Sequence, residues 1–327
     1  MVTYAALFPG QGAQYQQMAL DLHSSSAAVR QLFHIASEAT GKALLHLLTH
    51  GTDDQLRQTE NTQLVVTLAN RAAAVRLLEM GVGLPVQAGF SLGELSAYAT
   101  AGILDDTTLF RLVAERGNIM ARAAQEAKRQ VGELGMVAVI GLGFSQVERL
   151  FVSMGVEQLY CANDNGPGQV VVSGVARQLE SVVEELKAHG ARKIIPLKVS
   201  GPFHTPFMDA ALPDFARFLD GCVFTDPTAQ VYSSVTGEQV LSGQHARELC
   251  ARQLSCPVRW TAAMQSVSAA LDRKGLGGVL EVGPGRVLGG LWRSGDFHPA
   301  CQAAGTEVEI QQLLSNDRLE WGDGDGK

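Results

Sequence analysis

A small set of side chains in this sequence has the types and settings that acyl chemistry needs. Ser91 lies in Gly89-Phe90-Ser91-Leu92-Gly93, the Gly-x-Ser-x-Gly spacing that puts a serine on a sharp strand-to-helix turn. The serine backbone is strained at such a turn, and side chains two residues to either side would collide with neighbouring backbone. The following helix aims its first N–H groups at the reaction centre, which suits a developing oxyanion. With 35 glycines in the chain the spacing arises easily by chance, and an ordinary turn with a capping serine has the same sequence. A serine nucleophile also needs a base. Of the eight histidines, His204 has the most constrained setting, in the loop Gly201-Pro202-Phe203-His204-Thr205-Pro206. The other seven (His23, His34, His46, His50, His189, His245 and His298) lie in or beside helical or polar stretches and read as surface. On its surroundings alone, His204 is either a base or a loop histidine satisfied by backbone.

Two further features point to ligand contacts. A lone helical arginine is usually a solvated surface residue. Arg116, however, precedes Gly117, and a glycine costs about 1 kcal/mol in a helix interior. Its presence there implies that something packs closely beside Arg116. Gln11 lies in the loop Pro9-Gly10-Gln11-Gly12-Ala13-Gln14, where it can offer a side-chain amide or a backbone N–H. The same segment also reads as a plain glycine-rich turn. Gln63, taken alone, reads as a surface residue in the first turn of a helix.

The elements that must hold these residues follow from periodicity. Thr3 to Phe8 reads as a buried strand, and Leu64 to Met80 as a strongly apolar helix that Thr59 or Asn61 can cap. Leu84 to Ala88 is a short strand before Ser91, and Glu94 to Ala101 a helix after it. Thr107 to Ala127 is a helix carrying Arg116. From about Gly132 the texture changes. Strand Met136–Gly141, helix Ser145–Met154, strands Gln158–Ala162 and Gln169–Ser173, helix Val175–His189 and strand Arg192–Val199 follow in the order βαββαβ, the ferredoxin-like pattern. This segment reads as a small inserted domain. The chain then returns to the first domain through the His204 loop, with helices at Asp209–Cys222, Ala246–Leu254, Trp260–Leu271 and Val287–Trp292 and strands at Gln230–Ser233 and Gly278–Val282. From Ser315 onward the sequence is polar and reads as a frayed tail. The fold class is therefore α/β. A large domain (1–131 and 200–314) is interrupted by a small ferredoxin-like domain (132–199), and a tail covers 315–327.

Composition narrows the function classes. The 327 residues are 46% hydrophobic and 18% charged, a folded composition with room for a large core. Net charge is −7, with no long basic block, which argues against nucleic acid. The N-terminus breaks at Pro9 and lacks a basic region, so no signal peptide is expected, and no apolar run approaches the roughly 20 residues of a membrane span. Five scattered cysteines without a C-x-x-C pair fit a reducing cytoplasm and no metal site.

Together these motifs resemble the malonyl-CoA:acyl carrier protein transacylase family, which includes polyketide synthase acyltransferases. The resemblance runs from Leu7 to about Leu314. It rests on Phe8-Pro9-Gly10-Gln11-Gly12, Thr59-Glu60-Asn61-Thr62-Gln63, Gly89 to Glu94, Arg116-Gly117-Asn118-Ile119-Met120, Asn163 to Gly174, Gly201-Pro202-Phe203-His204, Pro257-Val258-Arg259-Trp260 and Glu281-Val282-Gly283-Pro284-Gly285. It implies an α/β-hydrolase-like large domain with a parallel sheet. It implies Ser91 as a nucleophile acylated by malonyl-CoA and His204 as acid and base in turn, oriented by a backbone carbonyl at Gln253. The N–H groups of Gln11 and Leu92 would form the oxyanion hole. Arg116 would hold the free malonyl carboxylate in a bidentate pair, with Gln63 in the same pocket. Phe203 stands where the family separates malonyl from methylmalonyl.

The implied partners are coenzyme A thioester and an acyl carrier protein, with no cofactor beyond them, no nucleic acid and no membrane, and a monomer is expected. An acidic carrier needs a local basic patch on this acidic chain, for which Arg192, Lys193, Lys198, Arg286 and Arg293 are candidates. One departure stands out: the family usually has histidine before the nucleophile, though stand-alone members with an apolar residue there exist, and this chain has Phe90. Other readings stay open, namely an acyl-carrier hydrolase of the same fold, the transacylase subunit of a malonate decarboxylase, and a catalytically silent docking subunit.

Overall fold

The computed structural model describes residues 2–197 and 201–321, with side chains as far as 315. Two sheets organise it. The first holds five strands in the order β7-β2-β1-β8-β9, all parallel. Its strands are β1 (Thr3–Phe8), β2 (Gly83–Gly89), β7 (Gln230–Tyr232), β8 (Val279–Glu281) and β9 (Cys301–Ala303). Parallel strands packed on both faces read as unbroken apolar runs, and Tyr4 to Phe8 are all buried. The second sheet holds β3 (Leu134–Ile140), β4 (Leu159–Gly166), β5 (Gln169–Val175) and β6 (Lys193–Pro196). Its order is β4-β5-β3-β6, every pair antiparallel, which is the ferredoxin-like arrangement.

Because β2, β1 and β8 are parallel neighbours, their carboxyl ends fall side by side. The loops after them carry Ser91, Gln11 and Gly283-Pro284-Gly285 to one edge of the sheet, where ligands bind in open α/β folds. The small sheet covers that edge. Its alternation aims Met136, Ala138 and Val171 toward the large domain, while Val139 and Val172 face its own helices. Asp164 N–H donates to Val258 O (2.8 Å) and Val258 N–H to Ala162 O (2.9 Å), tying β4 to the large domain. The Arg259 guanidinium over the Phe144 ring adds a second tie, at 4.3 Å.

Some expected elements are corrected. The helix after residue 58 begins at Thr59, not Leu64, and runs to Glu79; neither Thr59 nor Asn61 caps it, since Gln58 precedes it without a side-chain cap. Asn61 instead donates to Gln55 O at 3.0 Å. The single helix expected over Val175–His189 is two, Ala176–Ser181 and Val183–Ala188. The Ser181 hydroxyl donates to Gln178 O at the break, a local bond that competes with helix continuation. Asp209–Cys222 resolves into a 3₁₀ turn, Pro206–Ala211, and a helix, Leu212–Asp220. Pro213 lacks an N–H and fits only in a first turn. β6 is shorter than Arg192–Val199. It is an edge strand, which tolerates Pro196; residues 198–200, with Lys198 and the expected boundary at 200, lie outside the described residues. The polar tail from 315 is corrected as well, since helix Glu307–Trp321 runs across its first part; 322–327 lie outside the described residues. β9 and this last helix were not expected.

The two elbow glycines have no room for a side chain. A Cβ on Gly89 would overlap the Gly93 and Glu94 backbone, and one on Gly93 would overlap Phe8 O. Replacing Gly93 by alanine is therefore expected to destabilise the protein by about 2–3 kcal/mol, the scale of overpacking a tight interior. A denaturant midpoint equal to that of the unchanged protein would contradict this.

Candidate active site

Ser91 sits between β2 and helix Gly93–Thr100 with φ 51°, a left-handed conformation that a serine rarely adopts. Phe90 N–H donates to Phe8 O (2.9 Å), and Glu94 N–H to Ser91 O (3.0 Å), so the turn is fixed on both sides. Ser91 Oγ lies 2.7 Å from His204 Nε2. His204 also has a left-handed backbone, φ 62°, and its N–H donates to Leu254 O at 3.0 Å. His204 Nδ1 faces two backbone carbonyls, Gln253 O at 2.9 Å and Cys256 O at 3.1 Å. Two acceptors there place the ring proton on Nδ1 and leave the Nε2 lone pair for the serine. Burial, reinforced by the nearby Arg116 guanidinium, pushes His204 down to about 4. The imidazole is therefore neutral near pH 7 and able to take a proton.

Arg116 is fully buried in helix Asp106–Val131. Its Nη1 donates to Gln63 Oε1 (2.7 Å) and its Nη2 to Gln253 Oε1 (2.8 Å), while Nε is buried without a partner among the described residues. Neither contact carries negative charge. Burial pushes the guanidinium down to about 10, so it stays charged at neutral pH. The close neighbour implied by Gly117 is the start of helix Thr59–Glu79: a Cβ there would lie 3.1 Å from Glu60 Cα and 3.2 Å from Gln63 Cγ.

These groups open on one cleft of about 310 Å³ between the sheets. Ser91, His204, Arg116, Gln63, Gln11 and Leu92 all line it, as do Phe90 and Phe203. Phe90 packs edge-on against Trp260, ring centroids 5.3 Å apart. The small sheet contributes Met136, Ala138, Asn163 and Asn165. Gln253 stands behind the wall, joined to the site by hydrogen bonds. Arg192, Lys193, Arg286 and Arg293 are exposed outside the cleft, and Arg286 is already paired with Glu309 at 2.9 Å.

Gln63, expected on the surface, is 1% exposed. The helix starts four residues before it, which turns it inward, and Gly117 was the available signal. Glu94 has no evident role in the sequence, yet it is fully buried among buried neighbours from Leu92 to Ala97. The side chains of Asn163 and Asn165 were also missed, and only their place in a motif marked them.

The acyl transferase domain family matches residues 6–284. The chain is 35% identical over 293 residues to the malonyl CoA-acyl carrier protein transacylase of Escherichia coli K12, covering 89% of this chain and 92% of the relative. It is 33% identical to that of Bacillus subtilis, covering 89% and 90%. Among solved structures, the Coxiella burnetii malonyl CoA-acyl carrier protein transacylase superposes with TM-score 0.87 at 29% identity, covering 96% of this chain and 97% of that one. A malonyl-transacylase solved in complex with a type II polyketide synthase acyl-carrier protein gives TM-score 0.86 at 33% identity, covering 97% and 100%.

The depressed His204 predicts the pH dependence of Ser91 reactivity. Labelling by a sulfonyl fluoride is expected to rise through pH about 4 and stay flat to neutral pH, because the base is already unprotonated above that value. A rise centred near 6.5 would show instead an unperturbed histidine. His204→Ala is expected to slow labelling at least about a hundredfold.

Proposed function

The chain belongs to the acyl transferase family, and from that premise we propose that it moves a malonyl group from coenzyme A to the thiol of an acyl carrier protein. The observation that carries this reading is the buried guanidinium of Arg116, hydrogen-bonded among the described residues to neutral amide oxygens alone, in the same cleft as Ser91 and His204. A buried charge without a counter-ion is costly, and an acyl group ending in a carboxylate supplies one. A fork of two N–H groups suits a carboxylate in a way that lysine cannot. An acetyl group brings no charge and leaves the guanidinium unpaired.

The steps follow from the geometry. His204 Nε2 takes the Ser91 proton as Oγ attacks the thioester carbonyl. The negative oxygen of the tetrahedral intermediate falls to the N–H groups of Gln11 and Leu92. The C–S bond breaks, the proton passes from His204 to the coenzyme A sulfur, and malonyl-Ser91 remains. The carrier thiol then gives its proton to His204 and attacks the ester. The C–O bond breaks, the proton returns to Ser91, and malonyl leaves on the carrier. No step calls on a cofactor of the protein's own.

The apolar wall beside Ser91, with Phe90 against Trp260, limits the approach of water to the ester. Phe203 is buried at the cleft and leaves little space for an α-methyl branch, a discrimination of about 1–3 kcal/mol. The carrier meets the mouth of the cleft, where helix Val287–Ser294 contributes Val287, Leu288 and Leu291 to the lining and exposes Arg293. Arg293 with Arg192 and Lys193 is the basic surface proposed for the acidic carrier. Among the described residues no helix is long and apolar enough to cross a membrane. Work in a reducing cytoplasm is part of the same proposal, supported by five free thiols.

Intact mass after incubation with mixed acyl-CoAs tests the reading. One malonyl unit is expected on the protein, none on Ser91→Ala, and it should move to holo carrier on mixing. Malonate appearing in water faster than on the carrier would overturn transfer in favour of hydrolysis. Arg116→Ala is expected to lower malonyl loading about a hundredfold, the scale of a charged hydrogen-bonded pair, and to relax rejection of acetyl. Unchanged malonyl-over-acetyl preference in that variant would refute the clamp.

A further inference from the structure

Three residues beyond the nucleophile, Glu94 is fully buried, and the steps above give it no part. It accepts hydrogen bonds from Tyr98 Oη (2.7 Å), Ser234 Oγ (2.6 Å), Ser234 N–H (3.0 Å) and Gln253 Nε2 (3.1 Å). The last of these matters because an amide has two unlike ends. The Gln253 NH₂ meets two acceptors, Glu94 Oε2 and the Ser91 carbonyl at 3.0 Å. Its oxygen must then face the other way, where Arg116 Nη2 donates to it at 2.8 Å. Turned over, the amide would set NH₂ against the guanidinium and its oxygen against a carboxylate and a carbonyl, all in a buried site.

Glu94 and the Ser91 carbonyl together hold the Gln253 NH₂ and so present its oxygen to the arginine. Gln63 Oε1 takes the other arm of the fork at 2.7 Å. Two neutral oxygens aim the guanidinium without cancelling its charge. Were a carboxylate in the place of Gln253, a permanent ion pair would occupy the clamp.

We propose that Glu94 is a specificity-determining positioning residue that, through the Gln253 amide, orients Arg116 toward the acyl carboxylate while leaving its charge free. The proposal rests on the malonyl reading above. It also joins recognition to catalysis, since the backbone carbonyl of the same Gln253 faces His204 Nδ1 at 2.9 Å.

The test is the malonyl-over-acetyl preference in loading of Ser91. Glu94→Gln keeps the shape but replaces a carboxylate acceptor with a neutral amide, so the Gln253 amide is held less firmly. The preference is expected to fall about tenfold or more, mostly through a higher KM for malonyl-CoA, as for loss of a hydrogen bond to a charged group. Gln253→Met keeps the backbone carbonyl for His204, removes the amide, and is expected to lose the preference to the same degree; it decides the matter if Glu94→Gln does not fold. In an Arg116→Ala background, Glu94→Gln should cause no further loss of preference. Equal losses for both substrates, a retained preference in Gln253→Met, or additive losses in the double variant would each overturn the proposal. The unmutated protein is measured first. If it shows no malonyl preference, the malonyl reading itself falls and takes this proposal with it, a result separate from any failure of the variants.

Discussion

The site depends on one uncompensated charge. Arg116 is a guanidinium with no exposed surface, and among the described residues its fork is held by two neutral amides, with the buried Glu94 carboxylate one amide removed. Removing such an ion from water costs several kcal/mol even after relaxation. The fold sustains that cost with parts chosen for neutrality, two glutamine oxygens from segments far apart in sequence. Gly117 lets the helix bearing Arg116 approach the helix bearing Gln63, and the loop after helix Gly243–Arg252 brings in Gln253. The charge is thus held ready for an anion that the protein itself does not supply.

The same charge conditions the base. It helps to keep His204 unprotonated, second only to burial. An imidazole that is neutral at pH 7 suits the first half of the reaction, in which it must accept a proton. Two backbone carbonyls hold the ring in place of a carboxylate, so orienting His204 adds no further buried anion to the site. The orientation of His204 and the ionisation of Arg116 are in this way parts of one electrostatic arrangement.

What could be read from the sequence was what is encoded locally. The elbow glycines state their own reason, because the backbone they approach lies within a few residues or on the adjoining strand. The βαββαβ order of the small domain follows from alternation and turns, and the sheet order β4-β5-β3-β6 agrees with it. Gly117 announced a close neighbour beside Arg116 without naming it. What could not be read depends on contacts distant in sequence. The inward turn of Gln63 follows from where its helix starts. The orientation of the Gln253 amide is fixed by Glu94 and the Ser91 carbonyl, 159 and 162 residues away. The break at Val182 and the last helix across 315 escaped because apolar periodicity and polar composition pointed the other way. Phe90 fits the same physical picture, since its ring lies edge-on to Trp260 in an apolar wall where a histidine would bring a second imidazole.

The central claim is that a free carboxylate on the acyl group is recognised by an unneutralised guanidinium. Calorimetric binding of malonyl-CoA and of its uncharged methyl ester to the Ser91→Ala protein tests it most directly, since no acyl transfer to Ser91 follows. The account predicts that the carboxylate form binds about a hundredfold tighter, roughly 2.7 kcal/mol. Equal dissociation constants for the two ligands would contradict it.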